Sequence, residues 1–374
     1  MSNLNMNPVF DSIGQPALLL DCDVARQNIQ LMARKISTAG VRFRPHFKTH
    51  QSTQIGEWFR DAGVEAITVS SLDMAEYFAA SGWNDILIAF SLNLRQLDRI
   101  QALAKRIHLE VLVEDSTAVR ALQAIAPAQV DVWIKVDAGA HRTGLDWQAA
   151  DSIRFLAGEI QRQPNLNFRG LLTHSGNTYH CENAENVVIA FRDGVERLNN
   201  LRKILSLAGL GKCQVSVGDT PGCSLCDDFS DIDELRPGNF IFYDSQQLLI
   251  GSCKAKQIAL AVACPIVAIH SQRSEVVMYG GAIHLSKDWL ELNGEMSFGL
   301  VALPAGQRWG EPVEGAVIRS LSQEHGIVQF KQGIPAGLNS GGLLFVLPAH
   351  SCLTVQALRN YLTLEGEVIR TMNS

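Results

Sequence analysis

The sequence lacks long apolar runs, blocks of like charge and repeated cysteine motifs. Its longest apolar run, residues 258–269, contains Pro265 and falls well short of the roughly 20 residues that a membrane-spanning helix needs. No block of five or more like charges occurs and the net charge is −6, so neither nucleic acid nor an anionic membrane is an expected partner. The first residues contain no basic stretch followed by an apolar one, so we expect no secretory signal. Together these absences predict a soluble, cytoplasmic protein.

The eight cysteines are scattered along 374 residues, and with no expected export signal they are predicted to be reduced thiols. Cys223 and Cys226 are the only close pair in the sequence. A second pair with this spacing would favour a zinc knuckle. Without one, metal binding or redox chemistry at this pair is not favoured.

Apolar residues make up 47% of the chain and charged residues 19%, which predicts a large buried core. At about 100–200 residues per domain, the length favours two domains, with three as the alternative. Between residues 40 and 245, short apolar runs alternate with segments whose apolar residues recur at helical spacing. The eight runs are residues 41–44, 66–70, 86–90, 109–113, 132–136, 168–173, 214–217 and 240–243. Eight such units predict a (β/α)8 TIM-type barrel, which we place at residues 20–250.

After residue 250 the pattern changes to short strands joined by glycine-rich turns, with only short helical stretches. The predicted strands are residues 262–270, 275–279, 313–320, 326–331, 343–348, 351–357 and 367–372. This pattern predicts a mostly antiparallel β domain at residues 251–374, to which we expect the amino-terminal segment 1–19 to be joined. The predicted fold class is therefore α/β, with a barrel followed by a β domain.

Polar residues of unusual kinds flank the predicted barrel strands, at the end where barrel enzymes carry their chemistry. They are His46, Lys48 and His50 after the first strand, Arg142 after the fifth, His174 and Tyr179 after the sixth, Thr220 after the seventh, and Arg236, Gly238 and Asn239 before the eighth. Each alone is compatible with a surface residue, a packed histidine or an ordinary turn. Their coincidence on one predicted rim favours an active site.

A lysine desolvated among other cations is suited to Schiff-base chemistry. The Gly/Thr loops near the seventh and eighth strands are typical of phosphate binding through backbone N–H groups in barrels. Lys48 beside such loops predicts pyridoxal 5′-phosphate (PLP) as the cofactor.

In the second domain, His350 and Cys352 are two residues apart on a predicted strand, so both side chains are expected on one face. An imidazole and a thiolate form half of a site for a borderline-soft ion such as zinc, with open positions for water or substrate. A packed cysteine beside a capping histidine is the simpler alternative from these two residues alone.

The segment from Arg44 to His50, RPHFKTH, resembles the R-P-H-x-K-T-H signature of the fold-type III PLP enzymes grouped with D-threonine aldolase and D-serine dehydratase, which are relatives of alanine racemase. The resemblance continues through the segments HRTG, THSGNTY, RPGN and PAHSC. It implies that Lys48 is the catalytic Schiff-base lysine and that a divalent metal, zinc, is bound by His350 and Cys352. The residues that it implies for cofactor binding are Lys48, Arg142, His174, Tyr179, Thr220, Arg236, Gly238 and Asn239. It also implies a head-to-tail homodimer, and it leaves open which of Arg142 and Arg236 faces the pyridine nitrogen.

His-x-Cys is the metal pattern of the dehydratases in this family, whereas the aldolases usually carry His-x-Asp. We therefore expect a PLP- and metal-dependent lyase that dehydrates a D-3-hydroxy amino acid, a small-molecule substrate, as D-serine dehydratase does. Retro-aldol cleavage of the D-threonine aldolase type and amino-acid racemisation remain alternatives. A non-catalytic PLP carrier is less favoured, because the single-domain carriers lack a β domain.

Overall fold

The structure, a computed structural model, describes residues 6–374. They form two compact units, one made of the chain up to Ile29 with Asn239–Ser374 and the other of Gln30–Gly238. The predicted domain limits, residues 20–250 and 251–374, differ from these bounds and stay a prediction. Among the described residues, no helix is both long and apolar enough to cross a bilayer.

The chain begins with a 3-10 helix, Pro8–Ser12, followed by strand β1 (Ala17–Leu20) and helix α1 (Cys22–Thr38). The 3-10 helix starts at Asn7, whose side chain accepts a hydrogen bond from the Val9 N–H at 3.0 Å. Helix α1 starts in the same way, because the Asp21 carboxylate accepts from the Val24 N–H at 3.0 Å. Such caps satisfy N–H groups that have no partner inside a helix.

The unit Gln30–Gly238 contains eight strands that pair in parallel around a barrel, and a short additional strand. They are β2 (Arg42–Phe43), β3 (Ile67–Val69), β4 (Asp85–Ser91), β5 (His108–Val113), β6 (Val130–Asp137), the additional β7 (Leu145–Asp146), β8 (Leu166–Leu172), β9 (Gln214–Val217) and β10 (Glu234–Leu235). The order is β2-β10-β9-β8-β6-β5-β4-β3. A parallel bridge between His46 and Thr68 brings the chain after β2 back beside β3 and closes the barrel.

Helices follow most of these strands and have the sequence properties of amphipathic helices. They are α2 (Thr53–Asp61), α3 (Leu72–Ala80), α4 (Leu97–Ala104), α5 (Ser116–Gln123), α6 (Ala150–Gln161), α7 (Ala184–Leu207) and α8 (Thr220–Leu225). In α6 the buried residues Ile153, Leu156, Ala157 and Ile160 recur at helical spacing and form one apolar face. The predicted barrel is confirmed.

Seven of the eight predicted barrel strands overlap observed ones, but the prediction of a strand at residues 240–243 is wrong. The eighth strand is β10, and Asn239–Ile241 form a 3-10 helix. The chain turns here because the N–H groups of Phe242 and Tyr243 both donate to the Asn239 carbonyl, at 3.0 and 2.8 Å. An apolar run of aromatic and β-branched residues does not distinguish such a buried turn from a strand.

The other unit is built on a mostly antiparallel sheet, as predicted. Its strands after β1 are β11 (Leu260–His270), β12 (Glu275–Tyr279), β13 (Leu290–Leu292), β14 (Glu295–Ser297), β15 (Gly299–Ala305), β16 (Arg308–Pro312), β17 (Ala316–Leu321), β18 (His325–Phe330), β19 (Leu343–Pro348), β20 (Asn360–Thr363) and β21 (Val368–Arg370). Its helices after α1 are α9 (Ser245–Ile250), α10 (Ala282–Leu285) and α11 (Ser351–Leu358). The main sheet runs β16-β15-β19-β11-β1-β20-β21, with β12, β18 and β17 joined to it through β11, and within the described part of the chain β1 and β20 are its one parallel pair.

The predicted strand at residues 351–357 is wrong, because these residues form helix α11. Thr354 and Val355 are β-branched and favour a strand locally, but Ser351, Cys352, Thr354 and Val355 are buried at helical spacing. His350 and Cys352 therefore do not share a strand face. His350 instead occupies the N-cap position of α11, without a capping hydrogen bond from its side chain, and Cys352 lies in the first turn.

The barrel interior holds a buried ion-pair network around Arg44. Its guanidinium donates to Glu234 from Nε, to Asp85 from Nη1 and to Glu110 from Nη2, each at 2.7 Å. Glu110 also accepts from the indole N–H of Trp133 at 2.5 Å. Arg44 and Glu110 are fully buried, so every charge in the network depends on its partners.

Replacing Arg44 should therefore strongly destabilise the barrel. Arg44→Met leaves Glu110 and Glu234 buried with only the longer contacts to Arg42, at 3.7 and 3.6 Å, and we expect the free energy of unfolding to fall by about 3–5 kcal/mol in urea denaturation. Arg99→Met is the matched control, because Arg99 also bridges two acids, Asp73 and Glu76, but at the surface. A much smaller loss is expected there. Equal losses in the two variants would contradict a structural role for the buried network.

Candidate active site

A cavity of about 340 Å³ opens at the carboxyl ends of the barrel strands. Four of the predicted site residues line it: Lys48, Arg142, His174 and Arg236. The other lining residues are His46, Ser70, Ala89, Phe90, Ser91, Leu112, Lys135, Thr143 and Leu172. No acidic residue is present in this lining, within the part of the chain that the structure describes. The cavity therefore concentrates positive charge.

The loop that carries Lys48 is held by backbone hydrogen bonds to strand β3. The Phe47 N–H donates to the Thr68 carbonyl at 2.8 Å, and the Thr68 N–H donates to the Pro45 carbonyl at 2.9 Å. The Lys48 N–H donates to Nδ1 of His46 at 3.4 Å. Lys48 is thus fixed at its backbone, while its side chain reaches the cavity.

Two histidines of the cavity are held in the neutral state. Burial, together with the charge of Lys48, lowers the pKa of both His46 and His174 well below the usual range. Nδ1 of His174 lies 2.6 Å from the Gly218 carbonyl and donates to it, so Nε2 of the neutral ring is an acceptor. His174 can therefore accept a proton or a hydrogen bond from a bound molecule.

The predicted phosphate-binding residues of this unit lie near the same imidazoles. The Thr220 N–H donates to the Tyr179 hydroxyl at 3.2 Å, and the Tyr179 ring lies 6.0 Å from the His174 ring between centroids. Gly238 packs so closely on the lysine loop that a Cβ there would lie 2.9 Å from the His46 Cβ. The barrel therefore gathers all of these residues at one end.

The two arginines have different environments. Arg236 is buried, and its Nε donates to the Ser216 hydroxyl at 2.7 Å while Nη2 donates to the Thr173 carbonyl. Burial lowers the pKa of Arg236 to about 10, against the opposing charge of Glu234. Arg142, in contrast, is exposed. Arg236 is thus a fixed donor inside the barrel, whereas Arg142 lies at its rim.

Lys135 of β6 is not among the predicted site residues, although it lines the cavity and is only 6% exposed. Burial lowers its pKa to about 7, and the charges of Arg236 and Arg142 add to this effect. A signal was present in the sequence, since Lys135 interrupts an otherwise apolar stretch of a predicted barrel strand.

In the unit that contains Asn239–Ser374, the side chains of His350 and Cys352 form a hydrogen bond with each other at the start of α11. Burial lowers the pKa of His350, but the charges of Cys352, Asp244 and Asp288 outweigh this and raise it to about 9. An imidazole nitrogen and a thiol sulfur in contact are a donor pair that suits zinc and leaves positions open. The residues present therefore fit a metal of this kind.

A second group with metal-ligand side chains, Asp85, His108 and Glu110, lies near the amino-terminal ends of β4 and β5. Arg44 already pairs with Asp85 and Glu110, and His108 contacts Asp85 at 3.1 Å. These contacts identify the group as part of the ion-pair network rather than a second metal centre.

The barrel residues also fit PLP. The cofactor is anionic and forms a Schiff base with a lysine, and the cavity offers Lys48, fixed cations and neutral imidazoles. Its volume lies within the range of small-molecule pockets.

Comparison with known proteins agrees with this geometry. Residues 20–246 match the family described as alanine racemase, N-terminal domain, and residues 259–364 match a serine dehydratase domain. A D-threo-3-hydroxyaspartate dehydratase from Delftia sp. strain HT23 is 31% identical over 360 residues, 93% of each chain. The chain belongs to the fold-type III family of PLP enzymes. Like the relatives that share both domains, this family member is a PLP-dependent lyase.

Other relatives in the family extend this comparison. A D-serine dehydratase from Dictyostelium discoideum is 27% identical over 95% of this chain and 94% of its own. The solved Delftia dehydratase superposes with a TM-score of 0.89 over 98% of this chain and 99% of its own, at 27% identity. A cysteine-to-alanine mutant of a D-threo-3-hydroxyaspartate dehydratase was solved in a metal-free form, and the relatives also include a D-threonine aldolase from Arthrobacter sp..

The low pKa of Lys135 predicts a specific pH dependence of stability in the apoprotein. The folded protein releases this proton near pH 7, whereas the unfolded chain holds it to about pH 10.5. The unfolded state thus binds more protons between these values, so Lys135 makes the free energy of unfolding rise with pH, by up to about 1.4 kcal/mol per unit.

Urea denaturation from pH 6 to pH 10 measures this contribution. Lys135→Met should remove the rise, so that its stability advantage over wild type is largest below pH 7. Lys105→Met, at an exposed lysine, is the control and should follow the wild-type curve. If the Lys135→Met and wild-type curves run parallel, Lys135 keeps an ordinary pKa in the fold.

Proposed function

We propose that this enzyme dehydrates a D-3-hydroxy amino acid, with PLP bound covalently at Lys48 and a divalent metal, zinc, held by His350 and Cys352. The contact between the His350 and Cys352 side chains is the observation that favours dehydration over aldol cleavage, because it joins a nitrogen and a sulfur donor suited to zinc. The similarity to two dehydratases supports the same reaction.

In this proposal, different residues bind the phosphate, the pyridine nitrogen and the substrate carboxylate. Thr220, Gly238 and Asn239 hold the cofactor phosphate, together with the Tyr179 hydroxyl. Arg236 faces the pyridine nitrogen, because its buried guanidinium is a fixed donor that keeps a ring nitrogen unprotonated. Arg142, at the exposed rim, is placed to attract the substrate carboxylate.

PLP, when bound, supplies an electron sink that makes the α-hydrogen of the amino acid acidic. With the cofactor bound, the Lys48 amine would be the base that accepts this α-proton. Neutral His174 accepts a hydrogen bond at Nε2 and adds no charge to a cavity already rich in cations. The metal held by His350 and Cys352 supplies Lewis acidity for a poor leaving group, the β-hydroxyl.

Aldol cleavage is the second candidate, because an aldolase also occurs among the relatives. D-Serine, D-threonine, D-threo-3-hydroxyaspartate and D-alanine, each with and without EDTA, distinguish the reactions. We expect a keto acid and ammonia from a 3-hydroxy substrate, lost with EDTA. Glycine with an aldehyde would identify an aldolase, and an inverted enantiomer a racemase. Bound PLP with no turnover of any substrate would favour a carrier.

Replacing Lys48 tests the cofactor assignment. Lys48→Ala should lose the imine absorbance band of the holoenzyme, because no other amine is proposed to bind PLP covalently. Borohydride reduction followed by peptide mass analysis should find the adduct at Lys48 in wild type and in the control Lys105→Ala. An undiminished imine band in Lys48→Ala would disprove the assignment.

Replacing Cys352 tests the metal assignment. Cys352→Ala should keep the fold and the PLP absorbance but lose bound zinc and at least about 100-fold in turnover of the 3-hydroxy substrate, since second-shell losses alone reach 10–100-fold. Cys352→Asp should recover part of the activity with manganese, a harder ion. Cys22→Ala, at a partly exposed cysteine of the same unit, is the control. Full activity of Cys352→Ala would mean that this cysteine only packs.

We also propose a cytoplasmic homodimer. All eight cysteines are free thiols, which suits a reducing compartment. Ile283 of α10 and Leu353 of α11 are large apolar residues that remain exposed, as expected for a surface covered by a second copy.

A further inference from the structure

The carboxylate of Asp244 is fully buried and connects two segments that the proposed function uses separately. Its Oδ2 accepts from Nδ2 of Asn239 at 2.6 Å and from the Ser351 N–H at 3.0 Å. Its Oδ1 accepts from the Gln247 N–H at 3.0 Å, which caps helix α9. One carboxylate thus holds the side chain of Asn239 and the first turn of α11.

A third contact closes the arrangement. Nδ2 of Asn239 also donates to the Ser351 hydroxyl at 3.0 Å, so that Asn239, Asp244 and Ser351 form a triangle of hydrogen bonds. All three residues are buried. Movement of any one of them would therefore leave a buried polar group without a partner, which is strongly unfavourable. For this reason the three residues are expected to change position together rather than one at a time.

The Ser351 N–H links the triangle to the two proposed metal ligands. Ser351 lies between His350 and Cys352, and its N–H is one of the helix groups that has no partner inside α11. A carboxylate bound to it fixes the direction of the helix start and is stabilised by the helix dipole. The backbone that presents both proposed metal ligands is therefore anchored to Asp244.

We propose that Asp244 is a positioning residue that couples cofactor binding to metal binding. This inference rests on the proposed function, in which Asn239 contacts the cofactor phosphate and His350 and Cys352 hold the metal. Ordering Asn239 on the phosphate orders Ser351 through the triangle, and with it the metal ligands. Because such coupling is reciprocal, each group tightens the binding of the other by the same factor.

Titration of the apoprotein measures the coupling directly. PLP affinity is determined by absorbance with and without saturating Co²⁺, whose thiolate absorption band also reports the bond to Cys352. In wild type we expect Co²⁺ to tighten PLP binding by about 5–150-fold, the usual range of coupling between sites. Asp244→Asn, which offers one acceptor oxygen instead of two to its three N–H donors, should reduce this factor to below about 2-fold and weaken Co²⁺ binding.

Two further variants separate positioning from charge and from a general loss of structure. Asp288→Asn removes a negative charge that acts on His350 but makes no hydrogen bond within the triangle, so it should keep the wild-type coupling. Ser351→Ala removes the hydroxyl and keeps the N–H bond to Asp244. It should lower the coupling while leaving the Co²⁺ band unchanged, and it keeps the test decisive if Asp244→Asn does not fold.

Failure of the coupling inference and failure of the proposed function give different results. Binding of both PLP and Co²⁺ by wild type without coupling would overturn this inference and leave the proposed function intact. Wild-type coupling in both Asp244→Asn and Ser351→Ala would also overturn it. Failure of the wild-type apoprotein to bind PLP or Co²⁺ at all would instead refute the proposed function.

Discussion

The buried guanidinium of Arg44 is the constraint on which the geometry of the barrel depends. It binds carboxylates from β4, β5 and β10 at once, and its own carbonyl accepts from the Thr68 hydroxyl at 2.9 Å. Strands that share one planar, multidentate cation cannot slip in register without separating buried charges. Lys48 follows four residues later, so the network at one end of the barrel sets the position of the lysine at the other.

The active-site cavity has an electrostatic character opposite to that network. Each nitrogen of the Arg44 guanidinium contacts a carboxylate. Around Lys48, in contrast, the described residues that line the cavity include no acid. Burial and mutual repulsion lower the pKa of His46, His174 and Lys135. Groups with perturbed pKa values are typical of functional sites. In this cavity an anionic ligand would balance the positive charge of the lining residues.

Much of this arrangement could be predicted from the sequence. Seven barrel strands and the loops that carry Lys48, Arg142 and His174 follow from short apolar runs with polar residues at their carboxyl ends, because barrel topology brings those ends together. The turn at Asn239–Ile241 and helix α11 could not be predicted, since their conformations depend on tertiary hydrogen bonds from the Asn239 side chain to Ser351 and from the Ser351 N–H to Asp244. Local propensity carries no information on such contacts. The partners of Arg44 escaped prediction for the same reason, as they come from strands far apart in the sequence.

The pairing of strand β1 has a consequence for how the protein is made. Among the described residues, β1 precedes every other strand in the chain, yet its partners are Leu260–His270 and Asn360–Thr363. At about 5–20 residues per second, the segment Ala17–Leu20 waits tens of seconds for the carboxyl-terminal strands to be synthesised. The intervening unit Gln30–Gly238 is complete in the meantime and contains all eight barrel strands. The barrel can therefore fold during translation, while the nascent chain carries an unpaired apolar strand that is a natural target for chaperones until its partner strands emerge.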